Sequence, residues 1–508
     1  VTATGGAAAA GSGLMAADVS RETVTGGLKA ASGGRDTVII GLEVHCQLNT
    51  ASKLFCGCST DYRSDPPNTH VCPTCMGLPG SLPAMNRRAV EYALRVAKAL
   101  NCRVAEEAEF ARKNYFYPDL PKGFQITMYN RPLAEGGYLD IEGNEGEKRV
   151  RITRIHLEED PGRLVHMGTP DRPRYTLVDY NRSGIPLIEI VTEPDLRSPK
   201  EARRLLNGLR TTLEYLGVFD GDREGALRVD ANISIPGSER VEVKNISSYK
   251  GVEKALTFEI ARQKGVIRRG QKVQRETRHF VEARGVTTSA RSKEQEHDYR
   301  YFTEPDLRPL QVRDWVEGIA LPELPAARRE RFMAQYGISP EHARTLCGEL
   351  RLAEFFEEMA PCGNPLLAAT WVADTLQGEL NYREMEIGKV PPSHFRELLE
   401  ILCRKELTDT AAVEVLRRML DQCLKGGEVQ SPAQIMEKNM LGKTAGDAFT
   451  NVVREVIAEC GDAVRDYRAG RGEALNFLVG QVMKRTRGRA DPKELTRILR
   501  DELARQGT

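Results

Sequence analysis

The sequence predicts an α+β fold in which an antiparallel sheet domain comes first and only helices follow. Three observations carry this. Between residues 38 and 245, short runs alternate apolar and polar residues, the period of a strand with one face in a core. Beyond Leu310 the alternation stops and apolar residues recur at helical spacing. A length of 508 residues suggests roughly three domains. The expected divisions are a disordered leader at 1–35, a sheet domain at 36–310 carrying a cysteine loop at 56–75, a helical domain at 311–405 and a helical tail at 406–508.

Composition bounds the function. Residues 1–35 are rich in Ala, Gly, Ser and Thr, and no basic stretch precedes an apolar one, so they do not read as a secretory signal. Arg21 and Arg35 are few for a transit peptide. The net charge of +1, from 73 basic and 72 acidic residues, excludes a strongly basic nucleic-acid coat but leaves room for a local patch. No apolar run reaches the about 18 residues a membrane span needs. Eleven cysteines, four of them grouped, do not make a secreted disulfide scaffold. The expectation is a reducing, cytoplasmic compartment and one metal site, with an organelle as the alternative if 1–35 is a transit peptide.

In chain order, DTVIIGLEVHCQL (36–48) opens with an apolar run and then alternates. Glu43 and His45 leave the same face, roughly 6.6 Å apart along the strand. An acid and an imidazole on one rigid face can hold a metal or handle a proton; a solvated sheet face has the same period. In CGCSTDYRSDPPNTHVCPTC (56–75), the pairs Cys56/Cys58 and Cys72/Cys75 match a tetrahedral four-thiolate zinc. Four thiolates leave no open position for water, so the expected role is structural; His70 is a substitute ligand for one Cys, and a redox pair is the other reading. Asn86 caps a helix to about Leu100.

ARKNYFYPDLPKGFQIT (111–127), with Lys113 and Tyr115, can hold phosphates and stack a base, or be a surface loop anchored by its aromatic residues. RVRITRIHLEED puts Ile152, Arg154, His156 and Glu158 on one face. Glu189 lies among Leu187, Ile188, Ile190 and Val191, where a carboxylate is costly without a cation or metal. Ser198, Pro199 and Glu201 predict a capping box on a helix over 199–216, ended by Gly217. In LRVDANISI (227–235), Arg228, Asp230, Asn232 and Ser234 face away from the apolar set; Glu242 and Lys244 repeat the pattern. Several strands thus pair an apolar face with one of Glu, His, Arg, Asp, Asn and Lys, as in a lined catalytic sheet. Basic residues over 264–278 fit either phosphate contact or a solvated helix end. In the tail, Lys484, Arg485, Arg487 and Arg489 could grip an RNA backbone, or form a solubilising loop. LGKT at 441–444 lacks the upstream Gly of a P-loop. No GxSxG elbow, glutaminase cysteine context or dinucleotide fingerprint is present, so ammonia, if used, comes from another chain.

GLEVHCQL, KLFCGC…CPTCMGLPGSLP, RKNYFYPDLPKGFQI, HLEEDPGR, DYNRSGIPLIEIVTEPD, DANIS, ETRHF, DYRYFTEPDL and DYRAGRGEALNFLVGQVMKRTRGRADP, in that order, resemble the B-subunit family of the tRNA-dependent amidotransferases. The related E subunit carries a large insertion for which this chain has no room. The resemblance implies a glutamine-synthetase-like antiparallel cradle, then all-α helical and tail (YqeY-like) domains that hold tRNA. It implies ATP-dependent phosphorylation of the free carboxylate of mischarged Glu-tRNA(Gln) or Asp-tRNA(Asn), then amidation. The ammonia comes from a glutaminase A subunit, and a small C subunit supports the pair. Mg²⁺ positions carry over onto Glu43, His45, Glu158 and Glu189; His45 suits Mn²⁺ or an outer role better, because Mg²⁺ prefers oxygen. The cysteines match the zinc site that some members have. Asp179, Asn181, Arg182, Arg228, Asp230, Lys244 and Asn245 are expected nucleotide, acyl or metal contacts. The competing reading is a non-catalytic, zinc-containing tRNA-binding scaffold.

Overall fold

The computed structural model describes residues 37–169, 172–221, 223, 225–290, 299–441, 449–486 and 492–505. The segment 1–35, most of 441–444, and Arg487 and Arg489 lie outside them.

Nine strands form the main sheet: β1 (Ile39–Gln47), β2 (Arg103–Val104), β3 (Ala134–Glu142), β4 (Glu147–Glu159), β5 (Pro186–Thr192), β6 (Leu227–Ser234), β7 (Val241–Ile246), β8 (Glu276–Val281) and β9 (Val286–Ser289). Their order is β9-β8-β7-β6-β1-β5-β4-β3-β2. All neighbours are antiparallel except β7 and β8. The first strand in sequence is therefore the middle of the sheet, hydrogen-bonded on both edges.

Period-2 alternation decides which face meets the core. On β1, Ile40, Leu42, Val44 and Cys46 are at most 1% exposed. They join Ile188 and Ile190 of β5, Ile155 and Leu157 of β4, and Val229, Ala231 and Ile233 of β6 in one cluster. Each such aliphatic side chain contributes about 1.5–3 kcal/mol on full burial. Three helices cover that face: α1 (Arg87–Ala99), α2 (Pro199–Tyr215) and α3 (Tyr249–Arg268). Each starts on a side-chain cap, Asn86, Ser198 or Ser248. The predicted capping box on α2 is half formed. Ser198 accepts from Glu201 N, but the Glu201 carboxylate reaches one residue further back, to Arg197 N, and takes Lys148 Nζ as well. The basic stretch 264–278 divides: Arg278 is buried, bonded to Thr287 and paired with Glu259 and Glu276.

The sheet core extends past Leu310 to include Val312 and Ile319. A second core runs from Phe332 to Leu441 and takes in Tyr215 from α2. The helix Asp409–Lys425 packs inside it, so the expected division at 405/406 falls within one packing unit. A third core spans Phe449 to Leu503. No helix among the described residues is long and apolar enough to cross a membrane.

Candidate functional site

The face of the sheet opposite α1–α3 carries polar side chains in register. In an antiparallel sheet, residues directly opposed share a face, so one row can be read across four strands. Arg228 on β6 opposes His45 on β1, His45 opposes Glu189 on β5, and Glu189 opposes His156 on β4. The adjacent row sets Asp230 against Glu43. Bulges after Val191 and between Val229 and Ala231 shift the pairing at the two flanks.

Two clusters result. In the first, His45 Nε2 lies 3.3 Å from Glu189 Oε2 and 3.6 Å from Glu158 Oε1. His156 Nε2 lies 3.1 Å from the same Glu189 oxygen. In the second, Glu43, Asp230 and Glu242 each present a carboxylate oxygen within 4.8 Å of the others. Lys244 Nζ reaches Asp230 at 3.1 Å and Glu242 at 3.6 Å, and Asn232 donates to Glu43 at 3.0 Å. The four residues expected to share one metal are thus divided, with Glu43 on the neighbouring cluster.

The electrostatics differ accordingly. Burial works against the charge on Glu189, but His156 and His45 overcome it and hold the carboxyl well below its ordinary range. Burial also disfavours the His45 imidazolium, yet Glu189 and Glu158 push its pKa up to about 9. Glu43 is raised by burial first and then by Glu189, Asp230 and Glu242, with Lys244 only partly offsetting them. Two like charges 4.8 Å apart repel by about 3.5 kcal/mol at an effective dielectric of about 20. Three acids around one ammonium, Glu242 buried and Glu43 and Asp230 half-buried, therefore leave an excess negative charge, which suits a divalent cation.

Two acids that the sequence pattern did not single out, Asp160 and Glu159, lie beside this face, as does His156, which it did. Asp160 is fully buried and receives Arg228 Nη2 at 2.5 Å and Gln47 Nε2 at 2.8 Å. Glu159 is clasped by Lys122 Nζ at 2.5 and 2.7 Å. His156 is 3% exposed, and its Nδ1 has no hydrogen-bond partner among the described residues. A signal for Asp160 was present in HLEED, where it continues the period of His156 and Glu158.

The sulfurs of Cys56, Cys58, Cys72 and Cys75 lie within 4.8 Å of one another, and all four cysteines are free. Cys75 Sγ accepts from Cys72 N at 3.1 Å. Cys75 is drawn down to about 4, chiefly by the hydrogen bond from Cys56 and against its burial; Cys58 is pushed up to about 11 by burial. One sulfur is thus favoured as thiolate even without a cation. His70 is turned away as a substitute ligand, its Nε2 lying 2.6 Å from Asp65.

The profile described as the GatB/GatE catalytic domain matches residues 38–317, and one described as the GatB domain matches residues 354–503. The chain belongs to the GatB/GatE family. Relatives named as the B subunit of aspartyl/glutamyl-tRNA(Asn/Gln) amidotransferase are similar over nearly their whole length. The one from Methanoregula boonei is 66% identical over 468 residues, 91% of this chain and 97% of its own. The one from Methanospirillum hungatei is 66% identical over 465 residues, 92% and 98%. That of Haloquadratum walsbyi is 51% identical over 487 residues, 92% and 97%.

Within the GatB/GatE catalytic span, the remaining candidate residues separate. Asn181, fully buried, accepts from His70 N at 2.7 Å and donates to Pro66 O at 2.9 Å. Asp179 accepts from Asn68 N and Asn181 N, both at 3.0 Å. Arg182 donates to the carbonyls of Pro161 and Gly162 at 2.9 and 2.7 Å. All three pin loops through these contacts, Asn181 and Asp179 the cysteine loop. Asn245 has φ +66° and donates to Phe280 O at 3.2 Å. Lys113 stands 4.7 Å from the Tyr299 ring centre and 5.8 Å from that of Tyr115. In the GatB-domain span, Arg485 pairs with Glu459 at the surface, beside exposed Lys484.

Proposed function

We propose that this chain is the amidotransferase component that phosphorylates and amidates the side-chain carboxylate of mischarged Glu-tRNA(Gln) and/or Asp-tRNA(Asn). The observation that carries the reading is the pair of partly buried acid clusters side by side on one rigid sheet face, in a chain so similar to proteins with that name.

A free carboxylate is a poor electrophile because its leaving group would be oxide. Its oxygen attacks the γ-phosphorus of ATP, the bond to the bridging oxygen breaks, and ADP leaves. Ammonia then attacks the acyl carbon, the carbon–oxygen bond to phosphate breaks, and the amide and inorganic phosphate are released. A surplus ammonia proton passes to a base.

His45, Glu158 and Glu189 would hold one divalent ion, and Glu43, Asp230 and Glu242 a second. Such ions, when bound, supply positive charge against the phosphate oxygens. Arg228, fixed by buried Asp160, keeps a guanidinium beside the His45 row. His156 orients Glu189 through its Nε2. Lys113 and Tyr115 are read as a nucleotide or substrate contact. The four cysteines would hold a structural Zn²⁺: four soft donors on a closed loop fit it and leave no open coordination position.

The cradle, with a core running on to Ile319, would be followed by a helical domain packed to Leu441, and the tail around the core from Phe449 to Leu503 would hold tRNA through Lys484, Arg485, Arg487 and Arg489. A glutaminase A subunit and a small C subunit complete the cytoplasmic assembly.

The test is amide formation by the complex supplied with mischarged tRNA, ATP and ammonia in place of glutamine. Wild-type protein is expected to form product and Glu189→Gln to fail, while the variant complex given glutamine in a separate assay still hydrolyses it. Undiminished amidation by that variant would overturn the reading.

A further inference from the structure

Lys53 is one of the largest fully buried side chains among the described residues, at 0% exposure. It lies just before the cysteine loop, in SKLFCGC. Its Nζ contacts the His70 carbonyl at 2.8 Å, the Tyr180 carbonyl at 3.3 Å and Cys75 Sγ at 3.7 Å. An ammonium has three donors and here meets three acceptors. The aliphatic stem is enclosed too, because a Cβ added at Gly184 would stand 3.5 Å from Lys53 Cδ and 3.7 Å from Cys75 Cβ.

Two of the three acceptors carry no charge. Burying an ammonium against carbonyls alone is costly, so a counter-charge is needed nearby. Among the described residues no carboxylate pairs with Lys53, and Glu159, which lines the same cavity, is engaged by Lys122. The remaining source of negative charge is the sulfur cluster. Four thiolates around one divalent ion carry a net charge of −2, which a single lysine reduces to −1.

We propose that Lys53 is the positioning residue of the four-cysteine centre, neutralising part of its charge through Cys75 while tying the loop to the sheet through the carbonyls of His70 and Tyr180. This rests on the reading of the cysteines as a zinc site. Lys53 offsets part of the centre's excess negative charge, so the thiolates repel one another less and the metal is kept more tightly. The lower electron density on the Cys75 sulfur makes it react more slowly.

The test uses the full chain. Zinc content is measured first, then the rate of zinc transfer to a chromogenic chelator, for wild type, Lys53→Gln and Lys53→Arg. Lys53→Gln keeps hydrogen-bond donors without the charge and is expected to release zinc about 10- to 100-fold faster, the range for losing an outer partner of a metal ligand. Lys53→Arg is expected to restore slow release. In the cobalt-substituted chain, the sulfur-to-metal charge-transfer band of Lys53→Gln is expected at lower energy, a change that loosened packing alone would not give. A wild-type rate and an unshifted band for Lys53→Gln would overturn the proposal. A wild-type chain without zinc would overturn the zinc reading beneath it. Should Lys53→Gln fail to fold, Lys53→Met and the cobalt spectrum of Lys53→Arg decide the matter: a shifted Arg band with fast release would overturn the role assigned to charge.

Discussion

The polar sheet face and the cysteine loop both gather ligand-type side chains, but on different frames. The sheet cluster sits on β1, β4, β5, β6 and β7, in the middle of a nine-stranded sheet, with hard oxygen donors and imidazole. The cysteine cluster sits on irregular chain with four soft sulfurs, held by side-chain pins such as Asn181. A sheet fixes its donors through the ladder and can spend them on chemistry. A loop with few ladder bonds needs its donors, and an ion between them, to stay folded. Changes on the sheet should therefore remove rate and leave the fold, while changes on the loop should remove stability and leave the rate of each folded molecule.

The largest effect is expected at Glu189. Glu189→Gln removes the charge that two imidazoles share, and amidation should fall on the order of 10²- to 10³-fold, far more than the fraction of folded protein falls. Loss of fold in step with rate would break the comparison. Next, Cys58→Ser should lower the melting temperature and the zinc content, while kcat corrected for folded fraction stays near wild type; a lower corrected kcat would place the loop in the chemistry. Third, Asn181→Ala should destabilise the loop by about 1–3 kcal/mol, read as faster proteolysis within 56–75, with the KM for ATP unchanged. A raised KM would return Asn181 to the nucleotide contacts.

A smaller effect separates the two clusters by pH. His45 in the metal-free chain has its pKa raised from 6.5 to about 9, so its stabilising contribution is fully present below pH 6.5 and is lost as pH rises through about 9. In chelator, the denaturation midpoint of wild type should fall toward that of His45→Gln across this window; parallel profiles would refute the coupling. The smallest effect is expected at Arg485→Ala. That guanidinium is exposed and already paired with Glu459, so only a few-fold rise in the KM for tRNA is expected, shrinking at high salt.

Much of this was legible in the residues. The alternation in 38–48 and 227–235 fixed which side chains leave the core, and Asn86 and Ser198 marked helix starts that the structure keeps. The CxC and CxxC pairs named their own cluster. Lys53, Glu159 and Asp160 were harder to read, because a buried charge is recognisable only once its partner is known, and those partners lie at least 17 positions away.

The amino-acid order alone determined that Glu43 and His45 share a face, because a pleated strand turns every second side chain the same way. It could not determine that they serve different clusters. That was decided by strand order and register, which set Asp230 of β6 and Glu242 of β7 beside Glu43, and Glu189 of β5 and Glu158 of β4 beside His45. Neighbours across a sheet are closer than neighbours two apart along a strand, so the partners of an acid are chosen by segments remote in the chain.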